Sequence, residues 1–215
     1  RRSPEQAALE HGNDVEFFKD MKELLDDEDH MDATFQIANV TMRAHKSVLT
    51  ARSAYFKALF RRDCFRESHT CLVRVDDEAF GDLHVRPVLE YLYTNRIPGL
   101  RNMKTHDLLT MLKLADQWLL DSLKIKIEDE LVQKHITITA VPALYVAAGS
   151  ERLRTACISF IRKHFKELSR NPELQAIILH NPELCMPILQ AAADLVVLPD
   201  TKKQRRTLIL LPVDP

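Results

Sequence analysis

Between residues 33 and 44 the hydrophobic period drops to two. Phe35 and Ile37 alternate with Thr34 and Gln36, and Val40, Met42 and Ala44 alternate with Thr41 and Arg43. Alternation of this kind is the signature of half-buried strands, so the segment predicts two short strands joined near Ala38-Asn39. Only one other segment repeats it, residues 70–75, where Cys71, Val73 and Val75 share a face. Three short strands interleaved with helices cannot make a doubly wound parallel sheet. They predict a small α+β domain in which helices cap a three-stranded sheet.

The rest of the chain has helical spacing. Residues 13–27 carry Phe17, Phe18, Met21, Leu24 and Leu25 at three- and four-residue intervals, with Asn13 or Asp14 as candidate caps. Asp26-Asp27-Glu28-Asp29 follows as a solvated turn. Two short helices are expected over His45–Leu49 and Ala54–Phe60, broken at Arg52-Ser53, with Ser53 able to cap the second. After the third strand and Asp76-Asp77-Glu78, a helix is expected over Val85–Thr94 with Pro87 in its first turn. A strong one follows over 105–117, where Leu108, Met111, Leu112, Ala115 and Leu119 share a face, and Leu123, Ile127 and Leu131 continue the pattern. Beyond residue 136 the expectation is all helix: Ala140–Ala148, Glu151–Leu168, Pro172–Leu179 and Pro182–Ala193. The run Thr207–Leu211 is apolar and follows basic Lys202–Arg206; it reads equally as a strand or as a helix stopped by Pro212.

Several function classes are disfavoured. The formal net charge of −1 lacks the basic excess that neutralises nucleic-acid phosphates. Four well-separated glycines give no phosphate-cradling loop. None of the four cysteines (Cys64, Cys71, Cys157, Cys185) stands in a CxxC pair, and the nine histidines form no HExxH, so neither a metal nor another cofactor is expected. There is no GxSxG elbow, and the chain reads as a non-enzyme. No apolar run approaches the roughly 20 residues that span a bilayer, and Arg1-Arg2-Ser3-Pro4 lacks a signal core. A cytoplasmic chain with free thiols is expected, Lys202–Arg206 being the one candidate for nuclear import beside its plainer reading as a solvated linker.

Four stretches then come into line: Asp32-Ala33-Thr34-Phe35; Ala44-His45-Lys46-Ser47-Val48-Leu49; Ser53 to Phe60 (SAYFKALF); and Leu89-Glu90-Tyr91-Leu92-Tyr93-Thr94. In this order they resemble the BTB/POZ core, over residues 13–131. Two departures stand out: Asn95 where the family usually has glycine, and a longer segment before Tyr91, through Phe80 to His84. Ala147, Leu153, Cys157, Phe160, Ile161 and Phe165 resemble the BACK helical extension, over 136–198, leaving 199–215 unassigned.

The resemblance implies a homodimer in which Asp32 and Lys46 lie at the interface, with Val15, Phe18, Met21 and Leu25 of the leading helix as its apolar part. It further implies that Cys64-Phe65-Arg66-Glu67-Ser68 is a hydrophobic-x-acidic docking motif for a cullin scaffold, Phe65 the anchor and Glu67 the acid. The function so implied is a substrate adaptor for a cullin-RING ubiquitin ligase, with an unidentified protein substrate and no direct contact with nucleic acid or membrane. Two other readings accompany it: a transcriptional scaffold that recruits corepressor peptides, and a pure oligomerisation domain. The residues alone leave rivals open. Phe65 could be tucked into its own core, Asp32 and Lys46 could be an ordinary surface pair, and the leading helix could pack on its own subunit.

Overall fold

The computed structural model describes residues 4–37, 40–61, 65–75 and 79–193, with side chains from Asp14 onward except at 68, 191 and 192. The chain divides into two units between His135 and Ile136.

The first unit opens with α1 (Pro4–Asp26) and a 3₁₀ turn, Glu28–His30. Strands β1 (Ala33–Ile37) and β2 (Val40–Ala44) follow, then α2 (Lys46–Arg52), α3 (Ala54–Leu59), α4 (Glu67–Thr70) and β3 (Leu72–Val75). Helices α5 (Asp82–Thr94), α6 (Thr105–Gln117) and α7 (Asp121–Glu130) complete it, with a π-helical turn at Leu131–His135. The sheet order is β2-β1-β3. β1 runs antiparallel to β2, with Phe35 opposite Met42, and parallel to β3, with Phe35 opposite Val73. A parallel neighbour requires a crossover, which α2, α3 and α4 provide.

The alternation in β1 sets the core. Ala33, Phe35 and Ile37 are buried on one face, while Thr34 and Gln36 face outward. Phe35 meets Phe56 edge-on at 5.6 Å and Trp118 at 5.5 Å, and Phe56 meets Trp118 at 5.0 Å. Ser53 ties this cluster to the backbone. Its Oγ accepts from the Phe56 N–H at 3.2 Å, capping α3, and donates to the Trp118 carbonyl at 2.7 Å. Ser53→Ala removes the cap and leaves a buried carbonyl unmatched, so it is expected to cost about 1–3 kcal/mol in urea unfolding.

Several sequence expectations are corrected. α1 begins at Pro4, so Asn13 and Asp14 sit inside the helix and cap nothing. Residues 5–9, EQAAL, are strong helix formers, yet they carry no apolar stripe to announce themselves. β3 starts only at Leu72, because Cys71 is left-handed (φ 53°) and closes α4. α5 starts at Asp82, which places Pro87 in the second turn. The extra length before Tyr91 therefore goes into helix, with Phe80 buried beneath it and the His84 ring accepting from the Gly81 N–H at 3.2 Å. α6 stops at Gln117: the Leu120 N–H reaches back to the Ala115 carbonyl at 2.8 Å, which turns Leu119 (φ 53°) outward instead of onto the buried face. Glu151–Leu168 is two helices, α9 (Glu151–Lys163) and α10 (Phe165–Leu168), broken at His164, whose ring stacks on Phe160.

Asn95 resolves the family departure. It caps α5 in the left-handed region (φ 58°), a conformation asparagine tolerates in place of glycine. Its side-chain oxygen accepts from Arg52 at 3.1 Å and its carbonyl from Lys126 at 3.1 Å.

The second unit comprises α8 (Val141–Ala147), α9, α10, α11 (Pro172–His180) and α12 (Cys185–Ala193), the last preceded by a 3₁₀ turn, Pro182–Leu184. Asn171 caps α11, with Pro172 at its first position. Leu144, Leu153, Cys157, Ile161, Leu168, Leu174 and Ile188 are buried, and Tyr145 donates to the Leu184 carbonyl at 2.9 Å. Burial pushes the Cys157 thiol up to about 12, so it has no reactive thiolate near neutral pH. The Ala38-Asn39 turn, Asp76–Glu78, Cys64, Lys202–Arg206 and Thr207–Leu211 lie outside the described residues. Among the described residues no helix is long and apolar enough to cross a membrane, and no His/Cys/Asp/Glu group could hold a metal.

Candidate protein-interaction surfaces

The first surface follows α3. That helix is held inward by Phe56 and Phe60, whose rings stack at 6.2 Å, and Phe65, beyond it in the chain, is 51% exposed. Two residues on, Glu67 opens α4. Glu67 is near enough to Tyr55 on α3 to act on its phenol, which burial first and the Glu67 charge second hold above the usual tyrosine range. A small cavity of about 160 Å³ adjoins, lined by Arg66, Glu67, Thr70, Leu72 and Arg74. An exposed aromatic ring with a carboxylate two residues on can fill a partner's pocket while the charge orients it. The structure thus keeps Phe65 out of its own core.

The second surface is α1. It packs antiparallel on α5: the Lys22 ammonium lies 3.9 Å from Glu90, and the Arg96 guanidinium sits 4.4 Å over the Phe18 ring. Leu25 shares a cavity of about 290 Å³ with Leu89, Met31 and Met42. Phe18 and Leu25 therefore already have neighbours in their own chain, and Met21 is half-buried. Val15 and Phe17 are the bare ones; Phe17 is 63% exposed. Phe17, Met21 and Leu24 fall at i, i+4 and i+7 and form a second stripe beside the one that packs inward. The sequence places Phe17 on the apolar side of this helix but not among the interface candidates, because both stripes share Met21 and periodicity cannot rank them.

Asp32 and Lys46 meet through the backbone. The Asp32 carboxylate, at the exposed mouth of β1, accepts from the Lys46 N–H at 2.7 Å and so caps α2. The Lys46 ammonium turns to Cys71 Sγ at 3.9 Å and over the Phe60 ring at 5.0 Å. His45 is structural. Its backbone N–H donates to the Tyr93 hydroxyl at 2.7 Å, and its ring Nδ1 lies 2.9 Å from the same oxygen. Burial is the main cause that raises the Tyr93 phenol above its usual range. This pair joins the entry of α2 to α5, tying the Ala44-His45-Lys46 stretch to the Leu89–Thr94 stretch.

Comparison with known proteins agrees with this architecture. The BTB/POZ domain profile matches residues 21–135. TD and POZ domain-containing protein 2 of Mus musculus is 27% identical over 158 residues, which cover 71% of this chain and 41% of that protein. Protein 1 of the same series is 27% identical over 177 residues, 81% of this chain and 47% of that protein. Protein 3 is 29% identical over 169 residues, 77% and 44%. The chain spans less than half the length of these curated relatives. With the strand order, the buried His45–Tyr93 pair and a profile match over more than half its residues, the chain belongs to the BTB/POZ domain family, whose members are protein-interaction modules.

Proposed function

We propose that this chain is a homodimeric adaptor that docks a cullin-type scaffold and brings a protein substrate to a ubiquitin ligase. The observation that carries the docking half is the half-exposed Phe65 ring two residues before Glu67, the first residue of α4. The observation that supports the dimer is the bare Phe17 on α1. Asp32, solvent-facing at the mouth of β1, and Lys46 lie at the positions that the family uses at its interface. The helical second unit, in the place of a BACK extension, would lengthen the scaffold contact.

Such an adaptor does no chemistry. It raises the local concentration of substrate lysines near the ligase, and dimerisation doubles the valency. The relatives' names pair a TD domain with the POZ domain, which supports a division of labour in which substrate is held by something other than the POZ unit.

Phe65→Ala is expected to weaken binding of a purified cullin N-terminal domain by about 10–30-fold, the effect of losing a modest hot spot. Self-association should be unchanged. Calorimetry that returns the same affinity for wild type and variant would reject Phe65 as the anchor. Absence of any heat with wild-type protein at high concentration would reject the cullin partner itself.

A further inference from the structure

The loop between α5 and α6 bends twice beside α7. Asn95 and Gly99 both take left-handed backbone (φ 58° and 67°), and Pro98 between them does not extend a helix. The 3₁₀ turn Leu100–Asn102 that follows lies against α7. Three hydrogen bonds fix the first bend. The Thr94 hydroxyl donates to the Glu90 carbonyl at 2.8 Å and accepts from the Arg96 N–H at 3.2 Å, and Lys126 of α7 donates to the Asn95 carbonyl at 3.1 Å. Between this loop and the C-terminal half of α7, with the turn after it, lies a hollow of about 770 Å³.

The hollow is positive in a chain whose formal net charge is −1. Arg96, Arg101, Lys126 and Lys134 line it against the carboxylates of Asp129 and Glu130, four cations to two acids, an excess of two positive charges. The signs are layered by depth. All four cations are exposed, whereas Asp129 is half-buried and Glu130 is buried, so a ligand arriving from water meets the cations first. Lys134 matches Glu130 at 2.7 Å. Among the described residues the other three cations form no ion pair. Lys126 spends one of its three N–H donors on the Asn95 carbonyl. The Arg96 guanidinium lies over the Phe18 ring at 4.4 Å, and Arg101 stands on the exposed rim. Ile97 and Leu100, both half-buried, give the loop side of the hollow an apolar lining.

Size and layout select the ligand. One small anion would engage a single corner of a hollow this large, whereas a short peptide segment fits its volume. Nucleic acid needs a run of cations that follows its phosphates, and here two carboxylates lie beneath the rim. A loop already held by hydrogen bonds also loses little freedom on binding.

We propose that the hollow between the Asn95–Asn102 loop and α7 is a docking site for an acidic peptide segment of a partner protein. Arg96, Arg101 and Lys126 take its carboxylates, and Ile97 and Leu100 take an apolar side chain among them. The site shares no residue with Phe65 and Glu67 or with the outer stripe of α1, so it does not rest on the cullin or dimer readings.

The test is titration of the full chain with a fluorescein-labelled peptide of glutamate and serine with a central leucine, read by anisotropy at low salt. The same peptide with glutamine for glutamate serves as the control. The acidic peptide should bind at least about tenfold more tightly than the control, and Arg101→Glu should weaken it at least about tenfold. The melting temperature of Arg101→Glu should be unchanged, since an exposed charge contributes little to folding. Arg101→Lys keeps the charge and should retain most of the affinity. Added salt should weaken the wild-type complex, and the amide resonances of Gly99, Leu100 and Arg101 should move as peptide is added. No binding of the acidic peptide at millimolar concentration, equal binding of the control, or wild-type affinity in Arg101→Glu would each overturn the site. A single-stranded oligonucleotide that binds the hollow more tightly than the peptide would overturn it in favour of nucleic acid. Loss of self-association in Arg101→Glu would give the hollow to a second copy, and a fall in its cullin affinity would give it to the scaffold contact; either result overturns a separate site.

Discussion

Trp118→Ala is expected to lower the unfolding free energy of the first unit by about 3–5 kcal/mol, the range for deleting a fully enclosed aromatic side chain. Trp118 is 1% exposed and touches both Phe35 of the central strand and Phe56 of α3. The substitution leaves a cavity between sheet and helix that neither can fill, because β1 is held on both sides by its neighbours and α3 by the Ser53 cap. Each lost ring pair adds about 0.5–1.5 kcal/mol beyond its area. Urea unfolding followed by circular dichroism checks it. A midpoint shift worth less than 1 kcal/mol would mean that this cluster does not hold the unit together. Because a single domain has only about 5–15 kcal/mol to lose, the variant should be marginal at 37 °C.

That core was largely legible in advance. The period-two runs gave β1 and β2 to the residue, and Ser53 was identifiable as a cap because serine before an apolar helix satisfies an orphan N–H. The illegible parts share a cause. Cys71 and Leu119 both adopt left-handed backbone, which nothing in their side chains advertises, so alternation places the strand start at residue 70 instead of Leu72 and carries the helix face to Leu119, two residues past its end at Gln117. The N-terminal turns of α1 were missed because helix-forming residues without a stripe are silent to periodicity. Asn95 was visible as a departure from the family, but its consequence was not: only the structure shows that it takes glycine's conformation while also bonding Arg52. At the interaction surfaces, sequence named Phe65 and Glu67 by position. It could not tell that Phe18 and Leu25 are engaged within the chain and that Phe17 is exposed, since burial depends on Leu89 in α5 and Arg96 just past it, both distant in sequence.

Phe17→Asp is therefore expected to leave the isolated chain as stable as before and to abolish its self-association. In the monomer the ring is 63% exposed, and a polar substitution at such a position on a helix surface costs about 0.5 kcal/mol or less. In a dimer closed through Phe17, Met21 and Leu24, the same carboxylate would be buried twice, once from each copy, beside the two-fold axis. Unpaired buried charge costs several kcal/mol per ion and like charges repel across the axis, so the dissociation constant should rise by at least about 100-fold. Phe18→Asp serves as the contrast. Its ring packs beneath Arg96 within its own subunit, so that variant should lose melting temperature as well as dimer, whereas Phe17→Asp should lose only the dimer. Light scattering and thermal melts on both variants separate the cases. A Phe17→Asp chain that still sediments as a dimer at micromolar concentration would place the contact on some face other than the outer stripe of α1.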